Sequence, residues 1–241
     1  WARSRGLGDV YKRQIKNMPV KKNGINELTN HIGPIKNTNW GGIADVKSIK
    51  KAYDLTMTTR ALENHTDNPY RFPTQGYIFL HCLENSKFGG ANTISDGFYI
   101  AEYLKKNFKD YFHTLTTFHT FFEYQDENAC LQNNCTLIEL DNEKSVSQVR
   151  YNNRTEIMPF KNQKDLDKYI EARRKFWSLI KSKTNNLEIK QQSGDMLILD
   201  NYRVLHGRTG YKDTENKRYF RQGYMDRDIL QSKLKTLRAN S

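Results

Sequence analysis

Two histidines and one aspartate are the residues of this chain whose types and spacing could hold a metal. The segment HTDNPY sets His65 and Asp67 two apart, in a sequence with only six histidines. In an extended segment residues i and i+2 point to one side, so an imidazole nitrogen and a carboxylate oxygen can face the same ion. Asn68-Pro69 follows as a turn signal, which places the pair at a strand end. Alone, the pair reads better as a turn-capping aspartate beside a surface histidine. His206, in LDNYRVLHGR, shifts that reading, because it follows a second predicted strand far along the chain. Two imidazoles and one carboxylate on separate strands match the facial arrangement that holds non-haem Fe(II) and leaves positions open for small ligands. A structural zinc would more often be closed by four nitrogen or sulfur ligands. Chemistry of this kind calls for a cation to hold the far carboxylate of a keto-acid cosubstrate. Arg218, in NKRYFRQGY, is the candidate, since a guanidinium grips a carboxylate through two parallel hydrogen bonds where a lysine offers a point charge. Outside that context Arg218 reads as a surface residue in a basic stretch.

The elements that must position these groups are mostly strands. GYIFLHCL (76–83) is an apolar run bounded by turn signals and reads as a buried strand. A glycine-rich turn and a short strand follow in FGGANTISDGF, and Asp96 is placed to cap a helix starting near Phe98. Phe118–Tyr124 reads as a strand, and TLIELDNEKSVSQVRYNN as a hairpin turning at Asp141-Asn142. DLDKYIEARRKFWSLIKSK carries Leu166, Tyr169, Ile170, Phe176, Trp177 and Ile180 on one helical face. Gly194-Asp195 then turns into a strand at Met196–Leu199, and NKRYFRQGY is the return strand. Many short strands with few helices and no regular βαβ alternation favour a barrel or sandwich with appended helices over a doubly wound sheet.

Composition narrows the class further. The 241 residues suffice for one large domain, and no run approaches 18 apolar residues, so no membrane segment is expected. The net charge of +12 is concentrated: residues 1–22 hold seven Lys or Arg against Asp9 alone, an excess of six. Elsewhere basic and acidic residues alternate as on a solvated surface, which argues against a nucleic-acid partner. WARSRGLGDVYKRQ lacks an initiating Met and any apolar periodicity. Residues 1–22 are therefore read as a non-native or truncated leader, with a single domain over 23–241. Cys82, Cys130 and Cys135 are an odd set without a CxxC, which favours reduced thiols in a cytoplasmic protein.

The blocks HTDNPYRFPTQGYIFLHCLENSKFGGANTISDGF and LDNYRVLHGRTGY…RYFRQGYMDRDIL resemble the γ-butyrobetaine dioxygenase and trimethyllysine dioxygenase group of Fe(II)/2-oxoglutarate oxygenases. That group lies within the wider family that includes taurine dioxygenase, and the likeness runs from about Asn30 to Arg238. It implies a mainly β fold with appended helices around a double-stranded β-helix (jelly-roll) core. It implies that His65, Asp67 and His206 ligate Fe(II), that Arg218 binds the 5-carboxylate of 2-oxoglutarate, and that Asn92 stands where relatives place a Thr or Ser on the same carboxylate. O2 is the remaining cosubstrate. Asn152 and Asn153 match an NN pair associated with the polar end of the substrate, and Trp40 and Tyr224 match aromatics of a cage for a trimethylammonium group. Aromatic faces suit such a group because it has no hydrogen bond to donate. Ala44 and Met57 stand where further cage aromatics are expected, Tyr53 or Tyr70 being the available substitutes, and Asn68 stands where some relatives have an aromatic. The other histidines are read as structural, with His81 a satisfied core residue. The family's N-terminal zinc-binding domain has no matching ligand set before Trp40, which supports reading the chain as a fragment, and the resemblance allows a homodimer. The expected reaction is hydroxylation of a small trimethylammonium compound, first of all γ-butyrobetaine to L-carnitine in carnitine biosynthesis. The alternatives are trimethyllysine, another small amine or a sulfonate, or an inactive jelly-roll binding fragment.

Overall fold

The computed structural model describes residues 11–52, 54–159, 162–212 and 217–240. In chain order the first elements are β1 (Lys12–Ile15), α1 (Gly24–Ile32), β2 (Ile43–Lys47), a 3-10 turn at Leu55–Met57, β3 (Leu62–His65), β4 (Tyr77–Glu84) and β5 (Asn92–Asp96). Then come α2 (Gly97–Asn107), α3 (Lys109–Thr117), β6 (Thr120–Gln125), β7 (Cys130–Cys135), β8 (Ile138–Leu140), β9 (Val146–Val149) and β10 (Glu156–Ile157). The last part holds α4 (Gln163–Lys181), β11 (Leu187–Ile189), β12 (Met196–Asp200), β13 (Val204–Arg208), β14 (Tyr219–Met225) and α5 (Arg227–Ala239).

Two antiparallel sheets make the jelly-roll core: five strands in the order β1-β12-β4-β14-β2, and four in the order β11-β5-β13-β3. Strand alternation explains how they pack. Ile78 and Leu80 of β4, with Leu197 and Leu199 of β12, meet Ile94 of β5 and Val204 of β13 between the sheets. Phe79, Met196 and Met225 point the other way and bury Ile25 of α1, with Ile229 and Leu230 of α5 packed alongside. Both faces of β4 are covered, which is why its sequence is largely apolar, interrupted by His81, rather than alternating. A third cluster joins α2, α3 and α4 through Leu104, Leu115, Tyr169 and Phe176 to Phe122, Ile138 and Val149 on the smaller sheets.

The predicted strands at 76–83, 118–124 and 196–199, the 141–142 hairpin and the long helix are all present within a few residues. Asp96 caps α2 as expected, its carboxylate accepting from the backbone N–H of Phe98 and Tyr99. Four readings change. Lys12–Ile15 pairs with Met196–Leu199, so part of the segment set aside as a leader is an edge strand, while residues 1–10 lie outside the described residues. His206 sits in the middle of its own strand, β13, after a turn that ends β12. Trp177 is half-exposed with the Lys181 ammonium over its ring, whereas Ala172 takes its place on the buried face of α4. His81 is fully buried but not satisfied: neither ring nitrogen has a hydrogen-bond partner among the described residues. No described helix is long and apolar enough to cross a membrane, and Cys82, Cys130 and Cys135 are free thiols.

Candidate functional site

β3 and β13 are hydrogen-bonded neighbours, and their register sets His65 directly opposite His206. Gly207 makes this approach possible: a Cβ there would lie 2.4 Å from the Leu62 carbonyl oxygen and 2.7 Å from Asn64 Oδ1. The imidazole centroids stand 4.8 Å apart. Asp67, just past the end of β3, brings its Oδ1 to 3.3 Å from His65 Nε2 and its Oδ2 to 3.8 Å from His206 Nε2. All three side chains are buried, and each offers one ligand atom within 4.8 Å of the others.

Hydrogen bonds around the three residues fix their states. A carbonyl can only accept, so His65 Nδ1–H donates to Glu63 O at 2.7 Å, which leaves the Nε2 lone pair facing the site. Burial pushes His206 down to about 4, against the opposing pull of Asp67, so its ring is neutral at ordinary pH. Burial would raise the Asp67 carboxyl, but the His206 and His65 imidazoles and the Tyr224 hydroxyl hold it well below the usual carboxylate range. Two imidazole nitrogens and a carboxylate oxygen are the donor set that a divalent ion such as Fe(II) requires.

The backbone of Asp67 is held from a distance. Asn201 accepts from the Asp67 N–H at 2.8 Å and donates to its carbonyl at 2.9 Å, while also donating to Gln75 O. Asn68, at φ +51°, turns the chain away and accepts from the Tyr70 hydroxyl. Oδ2 of the Asp67 carboxylate accepts from Gln222 Nε2 and from the Tyr224 hydroxyl. Burial and Asp67 together raise the Tyr224 hydroxyl well above its ordinary range, so it remains a donor.

Val46, Thr56, Leu62, Leu80, Asn92, Gly207, Arg208, Arg218 and Gln222 complete the cavity around the three residues. Arg218 enters just ahead of β14 and is buried, its guanidinium stacked 3.9 Å from the Phe220 ring centroid. It donates to Asn92 Oδ1 at 3.2 Å and to Gly90 O at 3.4 Å, and its Nη1 has no partner among the described residues. Burial and the neighbouring Arg208 lower it to about 10, which leaves it charged at neutral pH. A buried cation with an unused donor in a cavity fits a ligand carboxylate. Asn92 gives its carbonyl oxygen to Arg218 and its amide to Gln191 at 2.5 Å, so it orients the arginine. Arg208 donates to the carbonyls of Leu55, Thr56, Thr58 and Arg60 and pins that segment beside the cavity.

Sequence reasoning thus named five cavity residues, His65, Asp67, His206, Arg218 and Asn92, and missed Asn201, Gln222 and Arg208. HTD and the later histidine are local signals, whereas the missed residues act on partners over a hundred positions away. The four residues read as substrate contacts do not line the cavity. Tyr224 reaches it through Asp67. Asn152 is buried, donating to Thr66 O at 3.2 Å, and Asn153 is exposed and donates to Glu63 at 3.0 Å. Trp40 is 42% exposed and meets Tyr124 edge-on at 4.9 Å, with the Arg71 guanidinium 5.1 Å from its ring centroid. Tyr70 stacks obliquely on Tyr124 at 5.4 Å, and Tyr53 lies outside the described residues.

Comparison with known proteins agrees with this architecture. The chain is 31% identical over 221 residues to the γ-butyrobetaine dioxygenase of Homo sapiens, covering 89% of this chain and 57% of the relative. It is 30% identical over 230 residues to that of Pseudomonas sp. (strain AK-1), covering 95% and 60%. With the trimethyllysine dioxygenase of Meyerozyma guilliermondii it shares 29% over 228 residues, covering 92% and 56%. The chain therefore spans less than two thirds of the length of these relatives. Among solved structures, asparagine oxygenase superposes with a TM-score of 0.71 at 13% identity, covering 92% of this chain and 75% of that one, a likeness of fold. Residues 14–224 match the family described as taurine catabolism dioxygenase TauD, TfdA, and the chain belongs to it.

Proposed function

We propose that this chain is the catalytic region of an Fe(II)- and 2-oxoglutarate-dependent oxygenase that hydroxylates a small trimethylammonium compound, γ-butyrobetaine first among them. The observation that carries the reading is the convergence of His65, Asp67 and His206 in one cavity with the buried, part-unpaired Arg218. On this reading the three residues hold the metal through His65 Nε2, His206 and one Asp67 oxygen. Arg218 takes the far carboxylate of 2-oxoglutarate, with Asn92 orienting the guanidinium. Bound iron supplies oxygen activation coupled to decarboxylation of 2-oxoglutarate, so that succinate, CO2 and a hydroxylated product leave the site. The chain's own work is positioning: Leu62, Leu80 and Val46 limit water around the reacting groups, and Arg208 keeps the segment from Leu55 to Arg60 against the cavity.

The γ-butyrobetaine assignment draws on relatives of that name from an animal and a bacterium, and Tyr224 stands beside the site with its hydroxyl 2.9 Å from Asp67 Oδ2. Trimethyllysine is the second reading, favoured by the yeast relative of that name. In either case Trp40 serves as a cage wall only if the substrate's cation displaces the Arg71 guanidinium. The free thiols support a cytoplasmic setting. A homodimer is the further expectation, read by light scattering.

The test begins with anaerobic addition of Fe(II) and 2-oxoglutarate, which should give the weak visible charge-transfer band of their chelate. Oxygen and γ-butyrobetaine should then yield succinate, and trimethyllysine run in parallel ranks the two substrates. His65→Ala should abolish both band and succinate; unchanged succinate in that variant refutes the metal assignment. A band with no turnover on any quaternary amine refutes the substrate class and leaves the oxygenase reading standing. Absence of both band and succinate in the wild-type chain would favour the binding-fragment alternative.

A further inference from the structure

The two oxygens of the Asp67 carboxylate are treated differently by the protein. Oδ2 accepts two hydrogen bonds, from Gln222 Nε2 at 2.6 Å and from the Tyr224 hydroxyl at 2.9 Å. Gln222 Nε2 also donates to the Tyr224 oxygen at 2.8 Å, so the three groups close a triangle. Gln222 and Tyr224 are two apart on β14 and leave the strand on one face, which lets both reach the same oxygen. Oδ1 accepts no hydrogen bond from Gln222 or Tyr224 and lies 3.3 Å from His65 Nε2, whereas His206 Nε2 stands 3.8 Å from Oδ2. A carboxylate with both oxygens free can bind a metal through one or through both, and the number of positions left for other ligands changes accordingly. Charge-assisted hydrogen bonds at a partly buried oxygen are strong enough to bias that choice.

We propose that Gln222 and Tyr224 are positioning residues that saturate Asp67 Oδ2, so that Asp67 binds the metal through Oδ1 alone and the remaining metal positions stay open. This rests on the reading of His65, Asp67 and His206 as metal ligands. It gives Gln222 a role that no sequence motif assigned, and ties the hydroxyl of Tyr224 to the metal ligand whatever its ring contacts.

Gln222→Leu keeps bulk and removes the donor, and Tyr224→Phe removes only the hydroxyl. Mn(II) binding by titration calorimetry, without oxygen or substrate, reads the affinity, and the visible spectrum of the Co(II)-loaded protein reads the coordination number. Each variant should bind Mn(II) roughly 10–100-fold more weakly, as loss of an outer-sphere partner does elsewhere. The Co(II) bands should change in intensity, and any fall in the unfolding midpoint of the metal-free protein should be smaller than the loss in metal binding requires. Mn(II) affinity within twofold of wild type in both variants, with an unchanged Co(II) spectrum, overturns the proposal. So does weaker binding that tracks an equal fall in the metal-free midpoint, which would mark a purely structural role. Should Gln222→Leu fail to fold, Tyr224→Phe carries the test by the same criteria. Failure of the wild-type chain to bind Mn(II) overturns the metal reading along with this one, whereas wild-type binding matched by both variants overturns this one alone.

Discussion

Arg218 is charged and buried, and its Nη1 has no partner among the described residues, a state that costs free energy unless an anion arrives. Under the proposed function, Arg218→Ala should weaken 2-oxoglutarate binding by on the order of 100-fold, equivalent to about 2–3 kcal/mol for a charged hydrogen-bonded contact. Arg218→Lys should fall between the two, because an ammonium cannot pair in two-pronged fashion. The expected signature is a raised KM for 2-oxoglutarate with a smaller change in kcat; equal KM values in all three proteins would remove Arg218 from the site. His65, Asp67, His206 and Arg218 were legible only together, because two imidazoles, a carboxylate and a guanidinium in strand contexts make a chemical set that none of them makes alone. Asn201 was not: a buried asparagine in a strand-and-turn context signals nothing until the backbone of Asp67, 134 residues away, is seen against its amide. Asn92 was named through the family resemblance as a contact of the 2-oxoglutarate carboxylate, but which of its two amide ends faces Arg218 depends on Gln191, which the sequence does not place.

At the level of elements, the site depends on how closely β13 can approach β3. The register between these strands shifts from His206 to Arg208, and Gly207 sits at the irregularity with β3 backbone in contact distance. Gly207→Ala should therefore force the strands apart and separate His65 from His206. The expected result is a loss of roughly 1–3 kcal/mol of stability from overpacking, together with weakened metal binding. Thermal unfolding and Mn(II) titration on one preparation check both effects, and a variant with wild-type values in each would show that the strands can yield. Strands with long apolar runs, such as β4 and β12, were readable because burial on two faces leaves few polar residues in them, His81 in β4 and Asp200 at the end of β12 among these. β2 and β3 were not, since both are short and polar-rich and their pairing comes from partners across the chain. α1 and α5 escaped for a related reason: few of their residues are buried, so their helicity owes more to docking on the outer face of the larger sheet than to a strong internal pattern.

Across the whole molecule, two fully or largely buried imidazoles make metal-free stability depend on pH. Burial lowers both His81 and His206, and an unfolded histidine titrates near 6.5. Below that value the unfolded chain takes up protons that the folded chain refuses, so stability is complete above pH 6.5 and falls as pH drops toward 4. Each group adds at most about 1.4 kcal/mol per pH unit to the slope. Denaturant titrations of the metal-free protein between pH 7.5 and 5 should show this decline, and His81→Leu should flatten it; an unchanged slope in that variant would mean His81 is protonated in the fold. The general architecture, strands in two antiparallel layers with helices outside, followed from patterning and from the family resemblance together, but the strand order did not. Neighbours in the larger sheet are remote in sequence, β1 with β12 and β4 with β14, and no local rule specifies such partners. The pairing of His65 with His206 across one ladder carries a kinetic consequence. Two metal ligands become adjacent only when the early strand β3 zips onto the late strand β13, so the binding site cannot exist before this long-range closure is made. A metal ion would then act as a latch rather than a template: it would leave the rate of folding nearly untouched and slow the rate of opening, giving the loaded protein a longer lifetime in the native state.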